Sequence, residues 1–412
     1  MPSPPTDSPP ASSSESRKIL IFEPDPEGHA LEWLEHLMAF VASERRDTEI
    51  WLLAPEALCK ALALARPAVA ADRIRVVALS PLERRLCTLR LLSVSAFARW
   101  WTMRRHLRRS GAQHGFFLML DLLSLPLALG LGAGGRRLSG ILFRPSVHYG
   151  TIGPYKPSRG ERLRDGRKAL LYRLMLRNPA LERVLSLDPF FPAHARNHYP
   201  KGDKVVALPD PANPPVDCGS TDRARGFAPS SRVSFLLFGY LTERKGPLAV
   251  LDALFLLPPK VASRVAVLFA GRVDPALREQ IKHRQSELAR RHPDLWLRID
   301  DRRLDQAELA SLVRQCDVVL APYQRFVGSS GVLLWAAVSG RPVLAQEFGL
   351  VGRLTRDHRL GVSVDASDPS HLVREIARMV ECGPSTFIDG AAAASFAAAR
   401  TPQRFASLVL SV

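Results

Sequence analysis

Short apolar runs alternate with amphipathic segments along the first half of the chain. Residues 18–22, 49–53 and 74–78 are apolar runs flanked by polar or turn-forming residues, and residues 30–43 carry apolar side chains at helical spacing. Runs of this length are typical of buried strands, whereas the spacing at 30–43 indicates a helix. Because strands and helices alternate, we predict parallel βαβ units with helices on both faces of a sheet.

The alternation continues to residue 382 and forms two series. Further strands of the first series are predicted at residues 116–120, 140–143, 183–187 and 204–208. Strands of the second series are predicted at residues 233–238, 265–270, 295–299, 318–321, 342–345 and 361–364. Its helices are predicted near residues 246–256, 276–291, 306–315, 330–339 and 368–382. The fold class predicted is therefore α/β, with two Rossmann-like, doubly wound parallel sheets.

The composition changes at both ends of the first series. Residues 1–17 are rich in Pro, Ser and Thr, which predicts a disordered tail without the apolar segment of a signal peptide. Residues 209–232 begin with a Pro-rich run and continue as a polar stretch, which is typical of a linker. We therefore predict a first domain at 18–212, a linker at 213–232, a second domain at 233–385 and a C-terminal helical tail at 386–412.

Net charge narrows the class of partner. The chain carries 57 Lys and Arg residues against 40 Asp and Glu residues, a formal charge of +17. Such a charge favours phosphorylated substrates, an acidic membrane surface or nucleic acid. No nucleic-acid recognition motif is present, so nucleic acid is not expected as a partner. The five cysteines form no Cys-x-x-Cys pair, which argues against a zinc site or a disulfide framework and fits a reducing cytoplasm.

The apolar run at residues 116–133 is at the lower length limit for a membrane span. Asp121, Pro126 and Gly130 interrupt it. A charge at mid-depth in a bilayer is costly, so we predict a buried strand that leads into a core helix.

A basic segment at residues 84–109 bears on peripheral membrane contact. It holds eight arginines together with Trp100 and Trp101. Arginine with tryptophan at helical spacing suits an anionic membrane interface, and a solvated arginine-rich face is the alternative. We expect a cytoplasmic protein, with peripheral binding to the inner face of the plasma membrane as an open expectation.

A loop of small residues, starting at Gly328, lies between a predicted strand and a predicted helix. Ser329, Ser330 and Gly331 would begin that helix. Unpaired backbone N–H groups at a helix N-terminus, on the carboxyl side of a strand, bind anions and in particular phosphate. The alternative is an ordinary Ser N-cap.

Several segments of the second series occur in an order that resembles a known family. They are Phe-Gly-Tyr-Leu-Thr-Glu-Arg-Lys-Gly-Pro at 238–247, the strand end at 268–272, the segment 304–317 and the small-residue loop. In this order they resemble the C-terminal domain of GT-B glycosyltransferases of the retaining family 4 type, or group 1, over about residues 233–382. The resemblance implies two domains facing a cleft, with a nucleotide-sugar on the second domain and the acceptor on the first.

The resemblance also implies roles for residues of the second domain. Arg244 and Lys245 would bring positive charge to the donor diphosphate, and Tyr240 stands where the family often has Arg. The chain has no clear Asp-x-Asp site, so we expect no metal and no other cofactor beyond the nucleotide-sugar substrate. For the two cations, a solvated helix start is the alternative.

Two positions depart from the family. It carries two Glu residues separated by seven positions, the second commonly on the donor ribose, and Val327 and Trp335 occupy these positions here. Neither side chain can accept a hydrogen bond from a ribose hydroxyl. Trp335 would pack as core or stack on the donor, and Glu347 is the nearest carboxylate that could substitute.

The first domain is expected to contribute the catalytic residue. His148 follows a predicted strand, so it would lie at the strand's carboxyl end and hydrogen-bond the transferred sugar or the acceptor. Gly28 and His29 are expected to approach the substrate from an early loop. A structural histidine is the alternative in each case, and Asp188 is expected to form a turn before the following proline.

These features predict a glycosyltransferase of the hexosyltransferase type (EC 2.4). It would move a sugar from a nucleotide-sugar to a glycan or lipid-linked acceptor in polysaccharide or glycoconjugate biosynthesis, and the resemblance implies that the anomeric configuration is retained. One alternative is a non-catalytic GT-B relative that acts as a binding or scaffold protein. Another is a GT-B sugar-nucleotide epimerase or hydrolase.

Overall fold

The computed structural model describes residues 17–26, 30–45, 47–154, 157–211, 227–328 and 330–411. Within these residues the strands form two parallel sheets. The first sheet contains β1 (Arg17–Phe22), β2 (Thr48–Ala54), β3 (Ile74–Ala78), β4 (His114–Phe117), β5 (Arg137–Leu142), β6 (Leu181–Ser186) and β7 (Val205–Ala207). Their spatial order is β3-β2-β1-β4-β5-β6-β7.

Helices cover both faces of the first sheet. They are α1 (Ala30–Ser43), α2 (Glu56–Ala65), α3 (Pro81–Cys87), α4 (Leu92–Ser110), α5 (Ser124–Ala128), α6 (Arg159–Met175) and α7 (Phe191–His198). Apolar side chains of α1 and α2 form one core with the sheet, and those of α4, α5, α6 and α7 form a second core on its other face. Strands buried on both faces must be apolar throughout, which is why the runs do not alternate with polar residues.

The second sheet has the same architecture. It contains β8 (Val233–Phe238), β9 (Val265–Ala270), β10 (Trp296–Asp300), β11 (Val318–Ala321), β12 (Val343–Gln346) and β13 (Gly361–Val364), in the order β10-β9-β8-β11-β12-β13. Its helices are α8 (Pro247–Phe255), α9 (Pro259–Ala262), α10 (Arg278–Arg291), α11 (Gln306–Gln315), α12 (Gly331–Val338), α13 (Gly349–Asp357) and α14 (Pro369–Cys382). The prediction of two doubly wound parallel sheets is confirmed.

The C-terminal segment returns to the first domain. Helix α15 (Gly390–Ala398) packs against α12, and α16 (Pro402–Val409) packs against α1. Phe405 is fully buried, with its ring 4.9 Å from that of Trp33. The last helix is therefore part of the core of the first domain, a role that the sequence analysis did not predict.

The run at residues 116–133 forms β4, a turn of 3-10 helix at Asp121–Leu123 and the short helix α5. No helix within the described residues is long and apolar enough to cross a membrane. The predicted disordered tail up to residue 16 and most of the predicted linker, residues 212–226, lie outside the described residues. The predicted domain limits stay predictions.

Candidate active site in the interdomain cleft

Each sheet has one place where the direction of strand addition reverses. In the first sheet the chain moves outward from β1 through β2 to β3 and then returns to β4, so β1 and β4 are neighbours. In the second sheet β8 and β11 are neighbours for the same reason. Ligands of open parallel sheets bind outside the carboxyl ends of the strands at such a switch point.

The two switch points face each other across a cavity of about 430 Å³. The first domain lines it with residues that follow β1, β4 and β5, and the second domain lines it with residues that follow β8 and β11. A volume of this size is within the range of small-molecule sites. The cavity is therefore the candidate active site.

A hydrogen-bonded network forms the wall on the second domain. The Nζ atom of Lys245 donates to the hydroxyl of Tyr323 at 2.9 Å, and this hydroxyl lies 2.5 Å from Oγ of Ser330. Ser330 is the N-cap of α12, and its Oγ accepts from the backbone N–H of Val332 at 3.3 Å. The network joins the Lys-Gly loop after β8 to the helix N-terminus after β11, so the two predicted phosphate-binding elements act as one unit.

Two arginines add positive charge to this cavity. Arg244 lies over the ring of Phe326, 4.6 Å from its centroid, and Arg144 of the first domain lies 5.4 Å from the same centroid. Burial of its guanidinium lowers the pKa of Arg244, and the nearby charge of Arg144 lowers it further. An arginine stays charged at neutral pH despite such a shift. With Lys245, the cavity wall carries three cations that a diphosphate would neutralise.

A glycine allows the two loops of this wall to meet. Gly246 follows Lys245 with φ at 74°, and a Cβ atom there would lie 2.2 Å from the carbonyl oxygen of Pro322. Both the left-handed backbone and the close approach exclude a side chain. The backbone N–H of Gln324 also donates to the carbonyl of Arg244 at 2.8 Å. Gly246 is thus required by the packing of the loop after β8 against the loop after β11, and Lys245 supplies the positive charge beside it.

The structure brings four of the predicted donor-site residues to the cavity: Arg244, Lys245, Ser330 and Gly331. Tyr240 lies instead in an adjoining cavity of about 310 Å³ at the carboxyl ends of β8 and β9. Ser329, Gly28 and His29 lie outside the described residues.

The two residues at the positions of the family's Glu pair lie in different places relative to the cavity. Trp335 lines the cavity, whereas the backbone of Val327 packs against Gly349, and its carbonyl accepts from the N–H of Leu350 at 3.0 Å. Glu347 is not among the residues that line the cavity, and its carbonyl oxygen accepts from Arg356 at 2.7 Å. The structure therefore does not support Glu347 as the substitute carboxylate.

The structure places His148 in the interior of the first domain. It does not line the cavity, and it is only 3% exposed inside the first domain. Its Nε2 atom lies 2.9 Å from Oδ2 of the fully buried Asp188, and its Nδ1 atom lies 2.9 Å from the carbonyl oxygen of Pro145. Nδ1 therefore has a hydrogen-bonded partner, and Nε2 lies at ion-pair distance from Asp188 without a hydrogen bond between them. These contacts fit the structural alternative, and the catalytic role of His148 stays a prediction. Asp188 forms the expected turn, with Oδ1 accepting from the N–H of Phe190 at 2.9 Å.

The sequence analysis missed three polar groups on the first-domain wall, Glu23, Asp25 and Arg144. All three follow strand ends, which is the signal that could have found them. Glu23 is 5% exposed, and burial raises its pKa to about 7, while Asp25 forms an ion pair with Arg99 at 2.9 Å. Within the described part of the chain, no group of three or more His, Cys, Asp or Glu residues could hold a metal ion. The expectation that no metal is used stays a prediction.

Comparison with known proteins supports the fold of the whole chain and the resemblance found for the second domain. Residues 232–382 match the family model for glycosyl transferases group 1. A glycosyltransferase from Rickettsia africae ESF-5 is similar with a TM-score of 0.67 and 12% identity, over 96% of this chain and 97% of that one. Sucrose-phosphate synthase from Thermosynechococcus elongatus has a TM-score of 0.66 and 16% identity, over 96% and 97% of the two chains. No curated protein matches the sequence significantly.

A third solved structure contains a ligand. Anabaena Alr3699/HepE in complex with UDP has a TM-score of 0.64 and 16% identity, over 96% of this chain and 100% of that one. At such identities the likeness shows the fold alone, which is the GT-B fold with two facing Rossmann-like domains. Within that fold, residues 232–382 match the family model for glycosyl transferases group 1, over nearly the same segment as the resemblance found in the sequence.

Proposed function

We propose that the protein is a hexosyltransferase (EC 2.4) that transfers a sugar, with retention, from a nucleotide-sugar to a glycan or lipid-linked acceptor. The Lys245–Tyr323–Ser330 network carries the proposal, because it presents an ammonium group and a helix N-terminus on one wall of the cleft. The nucleoside diphosphate leaves with developing negative charge, and positioned cations and N–H groups stabilise that charge.

The adjoining cavity would take the nucleotide base. It is lined by Gly239, Tyr240, Gly271 and Arg272 among others, and the ring of Tyr240 is half exposed. A Cβ atom on Gly239 would lie 3.4 Å from Nζ of Lys245, so this cavity begins beside the proposed diphosphate site. A nucleotide could therefore place its base against Tyr240 and its phosphates at Lys245. The UDP in the Anabaena complex supports a nucleotide ligand for this fold.

Calorimetric titration with UDP, GDP and ADP tests the proposal directly. We expect one of the three to bind, because base recognition is selective while diphosphate recognition is common to all. Titration with the corresponding sugar nucleotides, and chromatography of the products, then separates transfer from binding alone. If none of these nucleotides binds, the glycosyltransferase proposal is refuted and the scaffold alternative is favoured. That alternative is motivated by the absence of carboxylates at Val327 and Trp335.

The acceptor is proposed to be lipid-linked because of a basic and apolar face on the first domain. Helix α4 packs against α3 and α5, and α5 packs against α6, so these helices form one layer on one side of the sheet. Exposed apolar side chains of this layer and its connections are Leu82, Leu91, Leu92, Val94, Trp101, Leu129, Leu163, Leu170 and Leu174. Exposed arginines lie among them at positions 84, 85, 90, 108, 109, 159, 162, 164, 167, 173 and 177.

Apolar groups and arginines in one layer fit a bilayer with anionic headgroups. Each basic residue near such a surface contributes about 1 kcal/mol, and the attraction is screened by salt. Helices of a parallel sheet begin at the carboxyl edge of the strands, so the N-terminal end of α4 with Leu91 and Leu92 lies on the cleft side of the domain. A membrane on this face would present a lipid-linked acceptor to the cleft.

Flotation with vesicles tests the membrane proposal. The protein should float with vesicles of phosphatidylcholine and phosphatidylglycerol at low salt, and it should be released by high salt. The combined substitution Leu91→Glu and Leu92→Glu should abolish flotation, and Leu256→Glu, at an exposed leucine of the second domain, is the matched control. Equal flotation with pure phosphatidylcholine vesicles, or with the double variant, would contradict it.

A further inference from the structure

A second cavity between the domains adjoins the candidate active site. It has a volume of about 350 Å³. Its walls are the 3-10 turn at Ser146–Thr151 after β5, the N-terminal half of α6 and the loop after β11. Arg144 and Phe326 line both cavities, so a ligand in the second cavity would lie next to a sugar donor in the first.

The described lining of this second cavity carries a positive net charge. Its charged side chains are Arg144, Glu161, Arg164, Asp165, Lys168 and Arg325. Four cations and two carboxylates leave a net charge of +2. A phosphate monoester carries a charge of about −1.5 to −2 at pH 7 and therefore balances this lining, whereas an uncharged glycan would not.

Local partners hold the two carboxylates of the lining. Oε2 of Glu161 accepts from the backbone N–H of Ser158 at 2.7 Å, as part of the capping box that begins α6. Oδ1 of Asp165 accepts from the hydroxyl of Ser146 at 2.8 Å. Both carboxylates are therefore fixed in the helix and its neighbouring turn, and the cations determine what the cavity binds.

Two of the four cations form no ion pair with a carboxylate of the described residues. Arg164 and Arg325 lie 3.7 Å and 3.8 Å from carboxylates of this lining, which leaves Arg144 and Lys168 without such a partner. Lys168 is half-buried, and its Nζ atom donates to the carbonyl oxygen of Arg144. An ammonium group has three donors, so two remain for a ligand.

The setting of Lys168 favours an anionic ligand beside it. Burial lowers the pKa of Lys168, and the charges of Arg164 and Arg144 lower it further, while Asp121 and Asp165 act in the opposite direction. A buried ammonium group without a paired anion is unfavourable. An anion in contact with Nζ would stabilise the charged form of Lys168 and raise its pKa again.

We propose that the second cavity binds a phosphate group of the acceptor between Lys168 and Arg144, with Arg164 and Arg325 at the rim. Its role as an acceptor site rests on the proposed glycosyl transfer, whereas phosphate binding at Lys168 does not. The ammonium and guanidinium groups donate charge-assisted hydrogen bonds to the phosphate oxygens. The acceptor is then a phosphorylated sugar in solution or a lipid with a phosphate headgroup, because both present the same monoester.

Calorimetric titration with glucose 6-phosphate and with dihexanoyl phosphatidic acid, a short-chain lipid phosphate, tests this site. The compound that binds the wild type more tightly identifies the source of the phosphate. Lys168→Gln should raise its Kd by about 10- to 150-fold, because a charged donor is lost. Lys260→Gln, at an exposed lysine of α9, is the matched control and should leave the Kd unchanged. Lys245→Ala should also leave it unchanged, since Lys245 is not among the residues that line this cavity.

A double variant keeps the test valid if Lys168→Gln does not fold. The side chains of Arg164 and Arg325 are 59% and 77% exposed, so Arg164→Ala combined with Arg325→Ala should fold. Exposed ion contacts are weak, and the loss of two of them should raise the Kd by about 2- to 30-fold. An unchanged Kd in the double variant would overturn the proposal.

The outcomes distinguish this inference from the proposed function. If the wild type binds neither phosphate compound, or if Lys168→Gln binds them equally well, the phosphate site is refuted while nucleotide binding still supports glycosyl transfer. If no nucleoside diphosphate binds, glycosyl transfer is refuted while a phosphate Kd that depends on Lys168 still supports the site.

Two further results would overturn the phosphate site. A rise of the phosphate Kd in Lys245→Ala but not in Lys168→Gln would place the phosphate in the donor cavity. Equal losses of affinity for phosphate and nucleoside diphosphate in Lys168→Gln would show that Lys168 only positions Arg144, which lines both cavities.

Discussion

The substitution Lys245→Ala tests the donor site most directly. Lys245 contacts Tyr323 in two ways, through the hydrogen bond of 2.9 Å to its hydroxyl and with Nζ 5.0 Å from its ring centroid. Removal of the ammonium group takes away a charge-assisted contact to the diphosphate worth about 1.5–3 kcal/mol, or roughly 10- to 150-fold in Kd. Lys245 is only partly buried, so the fold should tolerate its loss.

Calorimetric titration of the nucleoside diphosphate against wild type and variant gives the two Kd values. Lys260→Ala, at an exposed lysine of α9, is the matched control and should leave the Kd unchanged. Tyr323→Phe should weaken binding by a smaller factor, about 2- to 12-fold, because it removes a neutral hydroxyl from the network while the ammonium group remains. An unchanged Kd in a folded Lys245→Ala variant would refute the assignment of this loop to the diphosphate.

The remaining predictions concern stability. Gly246→Ala should lower the melting temperature, because φ is 74° at this position and a Cβ atom has no room. Gly390→Ala, in open space at the start of α15, is the control and should leave the melting temperature unchanged. Equal melting temperatures of the two variants would refute the argument. Phe405→Ala should reduce the free energy of unfolding, measured in urea, by about 3–5 kcal/mol, because the ring of Phe405 fills the core beside Trp33. A loss below about 1 kcal/mol would show that α16 does not pack in this core. Burial lowers the pKa of His114 to about 3, against 6.5 in the unfolded chain, so the unfolded state binds the proton first and stability should fall as pH decreases from about 6.5 towards 3. Urea titrations at a series of pH values give the free energy of unfolding, which should depend less on pH in His114→Gln than in the wild type. An identical pH dependence in the two proteins would contradict this account.

Much of the fold follows from local sequence. A strand buried on both faces has to be apolar along its whole length, and a helix that covers it has to be amphipathic. The second-domain strands β8, β9 and β11 therefore coincide with their predicted ranges. The small-residue loop was found from its own residues, and the Lys-Gly pair was found through the resemblance to the family. They are local backbone requirements, for a left-handed residue at Gly246 and a capped helix start at Ser330, and local requirements are visible in sequence.

Side-chain direction is not a local property, so the sequence analysis could not derive it. His148 and Glu23 both follow strands of the first sheet, yet one lies against buried Asp188 and the other lines the cleft. The difference comes from the packing of the loop after β5, which only the assembled domain determines. Glu347 was proposed from its distance along the chain, and the turn after β12 leaves it off the cavity wall.

The sequence by itself determined the two βα series, the positive charge and the donor-side motifs of the second domain, because each depends on residues close together in the chain. Only the tertiary structure decided which strand ends face each other, which carboxyl group lies at the switch point of the first sheet, and that α16 completes the first core. Those features join residues hundreds of positions apart, as with Trp33 and Phe405, and no local pattern records such a contact. The candidate chemistry lies between the domains, so it became visible only when both were in place.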